Sequence, residues 1–339
     1  LPKKTARPRA YIGIDIGGTK SLYALFDESF EVLAEKKLRT HPEKGGRPAF
    51  TREMSAAIRS LLSQARKSKV EVRRVGVGCA GDIDLKRGAI RASPNLEILS
   101  GYPLREKLEK LTGAKAFVCN DVMAALYGEF RFGAARKGRH VIGVWLGTGV
   151  GGAAIIDARL HLGATGHAGD IGNYLLHAVD ADYESPRKEV LDNVVSRTAI
   201  AGVAATLAAK RHAPELRKGA GTDVTDIMAG DLADAIRRGD KKVEKLVRSR
   251  ARVAGAALSN LVDFLNPDLI VLGGGLVEAM PRLIRGEIAK SIESHASPKA
   301  AKAVKVVTAR LGNHAGTLGA AALAVDMFSG RPPIDLDAL

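Results

Sequence analysis

Two stretches of the 339-residue sequence share one pattern, and it restricts the fold more than any other feature. Residues 11–27 (YIGIDIGGTKSLYALFD) and 141–156 (VIGVWLGTGVGGAAII) each run as an apolar strand into a glycine turn beside a threonine, then return as a second apolar strand. Apolar runs broken by Gly-Gly or Gly-Thr-Gly read as tight hairpins. Two similar hairpins in one chain predict duplicated α/β lobes built on mixed sheets.

The rest of the sequence fills in around them. EVLAEKKLRT (31–40) adds a third strand to the first hairpin, and Met54, Ala57, Ile58, Leu61 and Leu62 recur at helical spacing over roughly 49–67. VRRVGVGCAG (72–81) reads as a buried strand, 103–112 as a short helix, 115–119 as a strand ending at Asn120-Asp121, and 122–133 as a helix. Residues 185–265 read as largely helical, with a loop at 217–223. NLVDFLNPDLIVLGGGL (260–276) is a helix end, a turn, an apolar strand and a glycine turn, followed by a late strand at 303–312 and a buried last helix at 315–328.

The 37 glycines gather at the ends of apolar runs, where they serve turns and close backbone approach rather than a flexible linker. The 52 basic and 37 acidic residues leave a net charge of +15 with only 4% aromatics, which favours an anionic ligand without the stacking residues of a single-strand nucleic-acid platform. Cys79 and Cys119 have no CxxC partner, so neither a disulfide framework nor a thiolate zinc pair is expected, and a reducing cytoplasm fits. No secretion signal or 18-residue apolar span is present, so no membrane association is expected.

The chemistry-bearing residues sit at the strand ends. In DIGGTK, Asp15 precedes Gly17, Gly18, Thr19 and Lys20: a carboxylate, then backbone N–H groups and a hydroxyl able to hold an oxyanion. The spacing is neither GxxxxGK[ST] nor GxGxxG, which excludes the Walker and dinucleotide motifs. Gly147, Thr148 and Gly149 form a second corner and Gly273, Gly274 and Gly275 a third, together describing a nucleotide held from several sides. Asn120 and Asp121 stand between a strand and a helix, where Asp121 is a candidate general base for a hydroxyl nucleophile and a helix cap is the plain competitor. Asp15 is the candidate for water-mediated Mg²⁺ contact. In GATGHAGDIGN (163–173), Asp170 and Asn173 are three apart and could face a polyol together. His161, His167 and His177 lack the spacing of a zinc cage, the basic run at 237–252 reads as a solvated helix face, and Cys119 reads as buried packing.

These motifs, in this order and from GIDIGGTK through SPNLE, CNDVMAALYGE, LGTGVGGAAI, GHAGDIGN and NPDLIVLGGGL to NHAGTLGAAALA, resemble the ROK family of sugar kinases and related repressors. The resemblance implies a two-lobed actin-like ATPase (ribonuclease H-like) fold hinged around an ATP cleft. It implies an N-terminal lobe of residues 1–121 completed by 315–339, and a larger lobe of 122–314. It further implies ATP- and Mg²⁺-dependent phosphorylation of the C6 hydroxyl of a hexose or N-acylhexosamine, a glucose-like sugar being favoured, in a homodimeric enzyme. Asn95, Asn120 and Asp121 look like sugar contacts, with Asp121 as the base. The sequence departs from the family where GHxGExGH becomes GHAGDIGN, placing Asp170 at the glutamate and Asn173 at the second histidine. The family's CxCGxxGCxE aligns with YESPRKEVLD, so Tyr183, Ser185 and Val190 replace the cysteines, no structural zinc is expected, and Asp192 takes the final acidic position near the sugar. A catalytically weak, kinase-like sugar sensor is the alternative that these departures motivate, and polyphosphate is a lesser alternative donor. With the first corner already at Asp15, a winged helix ahead of the core is not expected, nor is specific DNA binding.

Overall fold

The computed structural model describes residues 7–18, 20–40, 45–93, 96–179, 187–329 and 332–336. Contacts divide the chain into a first unit reaching to Lys137, with Arg159–Ala168 and the chain from Asn313 onward, and a second unit of Gly138–Ala158 and Gly169–Gly312.

In the first unit, β1 (Arg9–Ile16), β2 (Lys20–Asp27) and β3 (Val32–Arg39) form the antiparallel meander expected from the sequence. β4 (Glu71–Cys79) follows α1 (Gly46–Lys67); then come a hairpin of β5 (Asp82–Asp84) and β6 (Ala89–Ala92), α2 (Leu104–Thr112), β7 (Lys115–Asn120) and α3 (Asp121–Phe132). β4 joins β1 in parallel and β7 joins β4, giving the sheet order β3-β2-β1-β4-β7. The short β10 (Arg159–His161) and the last helix, α12 (Ala315–Met327), also belong to this unit.

α12 is buried almost all round and packs on α3, β1 and β4. Two mid-strand glycines make that packing possible. Gly13 and Gly76 are register partners, and a Cβ on either would collide with α12 carbonyls, those of Thr317 and Ala320. Gly128 on α3 and Gly319 on α12 do the same at the helix crossing: a Cβ on Gly128 would lie 2.5 Å from the Ala315 carbonyl oxygen. Small residues thus let backbone meet backbone, where dispersion and close packing replace side-chain volume. Tyr127 Oη donates to Asp326 Oδ2 at 2.5 Å, and Arg131 pairs with the same carboxylate, fixing the far end of the α3–α12 pair.

The second unit repeats the plan. β8 (Val141–Leu146) and β9 (Val150–Ile156) form the antiparallel hairpin, and β13 (Leu269–Gly273) and β14 (Lys305–Thr308) extend it in parallel, in the order β9-β8-β13-β14. β11 (Leu175–Val179) and β12 (Arg187–Val190) make a separate antiparallel ribbon. The helices are α4 (Asp192–Val195), α5 (Arg197–Ala209), α6 (Pro214–Ala220), α7 (Ala229–Arg237), α8 (Lys241–Leu265), α9 (Gly275–Ala279), α10 (Pro281–His295) and α11 (Pro298–Ala303). α8 and α10 pack together over an Ala-, Val- and Leu-rich core. Two local expectations change. Residues 187–190 are strand rather than helix, and the expected loop at 217–223 begins only at Gly221, because Pro214 at the first turn starts a helix that runs to Ala220. Among the described residues no helix is long and apolar enough to cross a membrane.

Candidate active site

The first unit gathers its functional side chains at the carboxyl ends of β1, β4 and β7, the edge at which open α/β sheets present ligand groups. β1 delivers Asp15, and its main chain continues into the glycine corner, where Gly17 N–H donates to Lys20 O at 3.0 Å. Ala80 N–H donates to Ile16 O at 3.0 Å, tying the end of β4 to this corner. β7 ends at Asn120, which caps α3: its Oδ1 accepts the N–H groups of Val122 at 2.9 Å and Met123 at 3.3 Å. Its Nδ2 donates to Gly81 O at 3.2 Å. Asn120 is therefore the cap, and Asp121, the first helical residue, lies beside it with its Oδ1 accepting the Val122 N–H at 2.9 Å. Gly78 makes room for the start of α3, since a Cβ there would sit 2.9 Å from Ala124 Cβ and 3.2 Å from Asp121 Cα.

Burial pushes the Asp121 carboxyl above its ordinary range, outweighing hydrogen bonds from the Val122 and Asp121 N–H groups and from Asn120, which favour the anion. Burial, and then the Asp121 charge, push Asp15 up to about 7, with Lys20 acting in the opposite sense. The two carboxyls thus share one electrostatic site. Gly316, at the start of α12, admits Asp15, because a Cβ there would lie 2.7 Å from its carboxyl carbon. Lys20 Nζ donates to Asn313 Oδ1 at 3.1 Å, a link across almost the whole sequence that no local pattern announced. Thr19 and Asn95 lie outside the described residues.

In the second unit the Gly147-Thr148-Gly149 turn is held from below. Gly147 N–H donates to Gly149 O at 2.9 Å, Arg197 N–H to Gly147 O at 2.8 Å, and Thr198 Oγ1 to Thr148 O at 2.9 Å. Asp192 Oδ1 accepts the Val150 N–H at 2.6 Å, and Gly149 leaves the room it needs. Sequence alignment placed Asp192 at the sugar; its carboxylate here braces the second glycine corner. Asn173 Nδ2 donates to Asp170 Oδ2 at 2.7 Å, so these two side chains meet on the single turn at Ile171–Asn173, which packs on β9. Gly273 lies against the Trp145 ring, Gly274 adopts φ +88° against the Leu146 main chain, and Gly275 opens α9, where a Cβ would meet only Ala229 Cβ at 4.0 Å. Only the last is unencumbered by packing.

Tyr183 and Ser185 lie outside the described residues, and Val190 ends β12. Among the described residues no group of three His, Cys, Asp or Glu side chains could hold a metal ion. Cys79 and Cys119 are buried free thiols whose pKa values burial raises, which makes them poor nucleophiles.

Comparison with known proteins follows the same lines. A glucokinase from Streptomyces coelicolor is 32% identical over 316 residues, covering 92% of this chain and 96% of that protein, and one from Thermotoga maritima is 30% identical over 321 residues, covering 94% and 98%. The crystal structure of a ROK family glucokinase from Streptomyces griseus, in complex with glucose and AMPPNP, superposes with a TM-score of 0.79 at 30% identity, covering 93% of this chain and 99% of that one. A ROK hexokinase from Thermus thermophilus gives 0.72 at 27% identity, covering 93% and 98%. The ROK family model itself matches residues 11–327, and with both duplicated mixed-sheet lobes and the glycine corners in place, the chain belongs to the ROK family.

Proposed function

We propose that this protein transfers the terminal phosphoryl group of ATP to the C6 hydroxyl of a hexose or N-acylhexosamine, with a glucose-like sugar favoured and Asp121 as general base. The chain is an ATP-dependent sugar kinase of the ROK family, and relatives that it matches over nearly their full length are glucokinases. The observation that carries the finer reading is Asp121 itself, a carboxylate at a helix start whose pKa burial raises, beside Asp15 and the first glycine corner. A base of raised pKa accepts a hydroxyl proton more readily near neutral pH.

In this reading Asp121 accepts the C6 hydroxyl proton as the oxygen attacks phosphorus, the bond from phosphorus to the bridging oxygen of ADP breaks, and ADP leaves. Asn120 fixes the helix start and so the direction of the base. The backbone N–H groups of the corners at Gly17-Gly18 and Gly147–Gly149 cradle phosphate oxygens, with Thr19, Thr148 and Lys20 adding donors. Gly273–Gly275 serve the nucleotide side. Asn95, Asp170 and Asn173 orient the sugar, while Asp192 acts on the second corner as well as lying near the acceptor in the alignment. Asp15 fits a magnesium ion held through water: a buried carboxyl with pKa about 7, at the mouth of a glycine corner, gains most from a nearby cation. When bound, the ion supplies charge neutralisation on the phosphates.

A homodimer in the cytoplasm completes the proposal, supported by family membership and by two unpaired buried thiols. The test is a matrix of sugars against ATP and polyphosphate, with the phosphate position in each product read by NMR and mass in solution by light scattering. Transfer from ATP to O6 of one sugar class supports the reading. Nucleotide hydrolysis without a phosphosugar, or a sugar bound without turnover, would favour the sensor.

A further inference from the structure

We infer that Ser93 is a further sugar-contacting residue, its hydroxyl reserved for one ring hydroxyl of the acceptor; the inference rests on the sugar-kinase reading above. Ser93 follows the β5–β6 hairpin and is only 2% exposed, yet among the described residues its Oγ has no hydrogen-bond partner. Buried hydroxyls are ordinarily paired, and one that is not calls for a reason. Packing does not supply it, because alanine would fill the same space without the polar atom.

Its neighbours supply a reason. The main chain of Gly81 passes directly over the serine with φ +113°, and a Cβ on Gly81 would sit 2.7 Å from Ser93 Cβ. Gly81 O accepts from Asn120 Nδ2 at 3.2 Å, and Asn120 caps the helix that begins with Asp121. Ser93, Gly81, Asn120 and Asp121 therefore form one continuous line along the ends of β4 and β7. Within it, Gly81 and Asn120 are committed to each other and Ser93 is committed to neither.

The other buried side-chain atoms without partners among the described residues do not compare. Arg105, orphaned at Nε, already donates from both terminal nitrogens to Lys86 O at 2.7 Å and Leu85 O at 2.8 Å. His314, orphaned at Nδ1, is 42% exposed and faces Glu35 through Nε2 at 3.7 Å. Ser93 alone of the three has its whole polar complement unused. A hydroxyl both donates and accepts, as a sugar hydroxyl does, and Ser93 stands beside Gly81 and Asn120 rather than at a glycine corner, so its match is a sugar hydroxyl. Ser93 then contributes to choosing the sugar, while Asp121 acts on the reacting one.

The experiment is a cycle between the protein and the sugar. Wild type and Ser93→Ala are assayed with the preferred sugar and with its four monodeoxy analogues at C1, C2, C3 and C4, alongside thermal melts without ligand. The expected result is a fall of about tenfold in kcat/KM for the parent sugar on removing the serine hydroxyl, carried mainly by sugar KM with the ATP KM unchanged. One deoxy analogue should lose about tenfold with wild type and lose nothing further with Ser93→Ala. The melting temperature should hold or rise, since the variant removes an unpaired polar group from the interior. Unchanged kcat/KM, or an equal loss with every analogue together with a lowered melting temperature, would overturn the inference while leaving the kinase reading intact. Wild type that phosphorylates none of a broad sugar panel overturns both.

Discussion

Asp192 offers the sharpest separation of roles, because the family resemblance assigns it to the sugar while its hydrogen bond is made to the main chain beside the second glycine corner, which we propose holds phosphate. Its carboxylate accepts the Val150 N–H at 2.6 Å, immediately after the Gly147–Gly149 turn, in a partly buried setting. A hydrogen bond to a charged group at such a site contributes about 1.5–3 kcal/mol, and Asp192→Ala leaves the Val150 donor without it. If the whole loss appears as disorder of the corner that ATP must restore, kcat/KM for ATP falls by roughly 10- to 150-fold, at 1.4 kcal/mol per factor of ten. Asp192→Asn keeps an acceptor and loses the charge, so about half the free energy, roughly a 3- to 12-fold fall, is expected. The assay varies ATP at saturating sugar and then sugar at saturating ATP for all three proteins. A rise in ATP KM with an unchanged sugar KM follows from the geometry. Sugar KM rising tenfold while ATP KM holds would refute the bracing role and return Asp192 to the acceptor.

Other consequences are as direct. Asp121→Asn should lower kcat by about 10²–10⁴-fold with folding and nucleotide binding preserved, the range for loss of a general base; near-normal turnover would remove Asp121 from that role. The Asp15 carboxyl, raised to about 7, favours the folded state while protonated, so its contribution to stability is complete below the ordinary pKa of 3.8 and is lost as pH rises toward about 7. Melting curves without nucleotide should therefore show a decline between pH 4 and 7 in wild type that is shallower in Asp15→Asn, where Asp121 alone keeps a raised pKa, and parallel pH profiles would contradict this. Gly319→Ala drives a methyl group into the Ala124 carbonyl, and overpacking of this kind costs about 1–3 kcal/mol or more, so the melting temperature should drop by roughly 3–10 °C. An unshifted melt would mean that the α3–α12 crossing yields more easily than its geometry implies.

Much of this architecture was legible in the sequence because it is written locally. The strand, glycine turn and strand at 11–27 and 141–156 became β1–β2 and β8–β9, and the apolar run ending at Asn120-Asp121 became a strand followed by a capped helix. Long-range geometry was not written locally. Gly13 and Gly76 sit inside runs that read as apolar strands, with no local signal for a glycine there; their reason is the backbone of α12, some 300 and 240 residues away, which only the folded chain brings near. The Asp192–Val150 bond spans 42 residues and the Lys20–Asn313 bond 293, and neither has a spacing rule that a single sequence could reveal. Conversely, alignment placed acids at 170 and 192 without showing that one meets Asn173 and the other a glycine corner. Over 185–265 the helical reading holds for α4–α8 and fails at two short places: Arg187–Val190 pairs with β11 as a strand, and the helix opened by Pro214 runs on to Ala220.

The central claim is that these two sets of residues carry one phosphate from ATP to a sugar's C6 oxygen. Its most direct test is product analysis of wild-type protein with ATP, Mg²⁺ and glucose or an N-acylhexosamine, following phosphorus and carbon resonances together. The account predicts one equivalent of ADP for each hexose 6-phosphate formed. Phosphate on the anomeric oxygen, or ADP released with no phosphosugar at all, would contradict it.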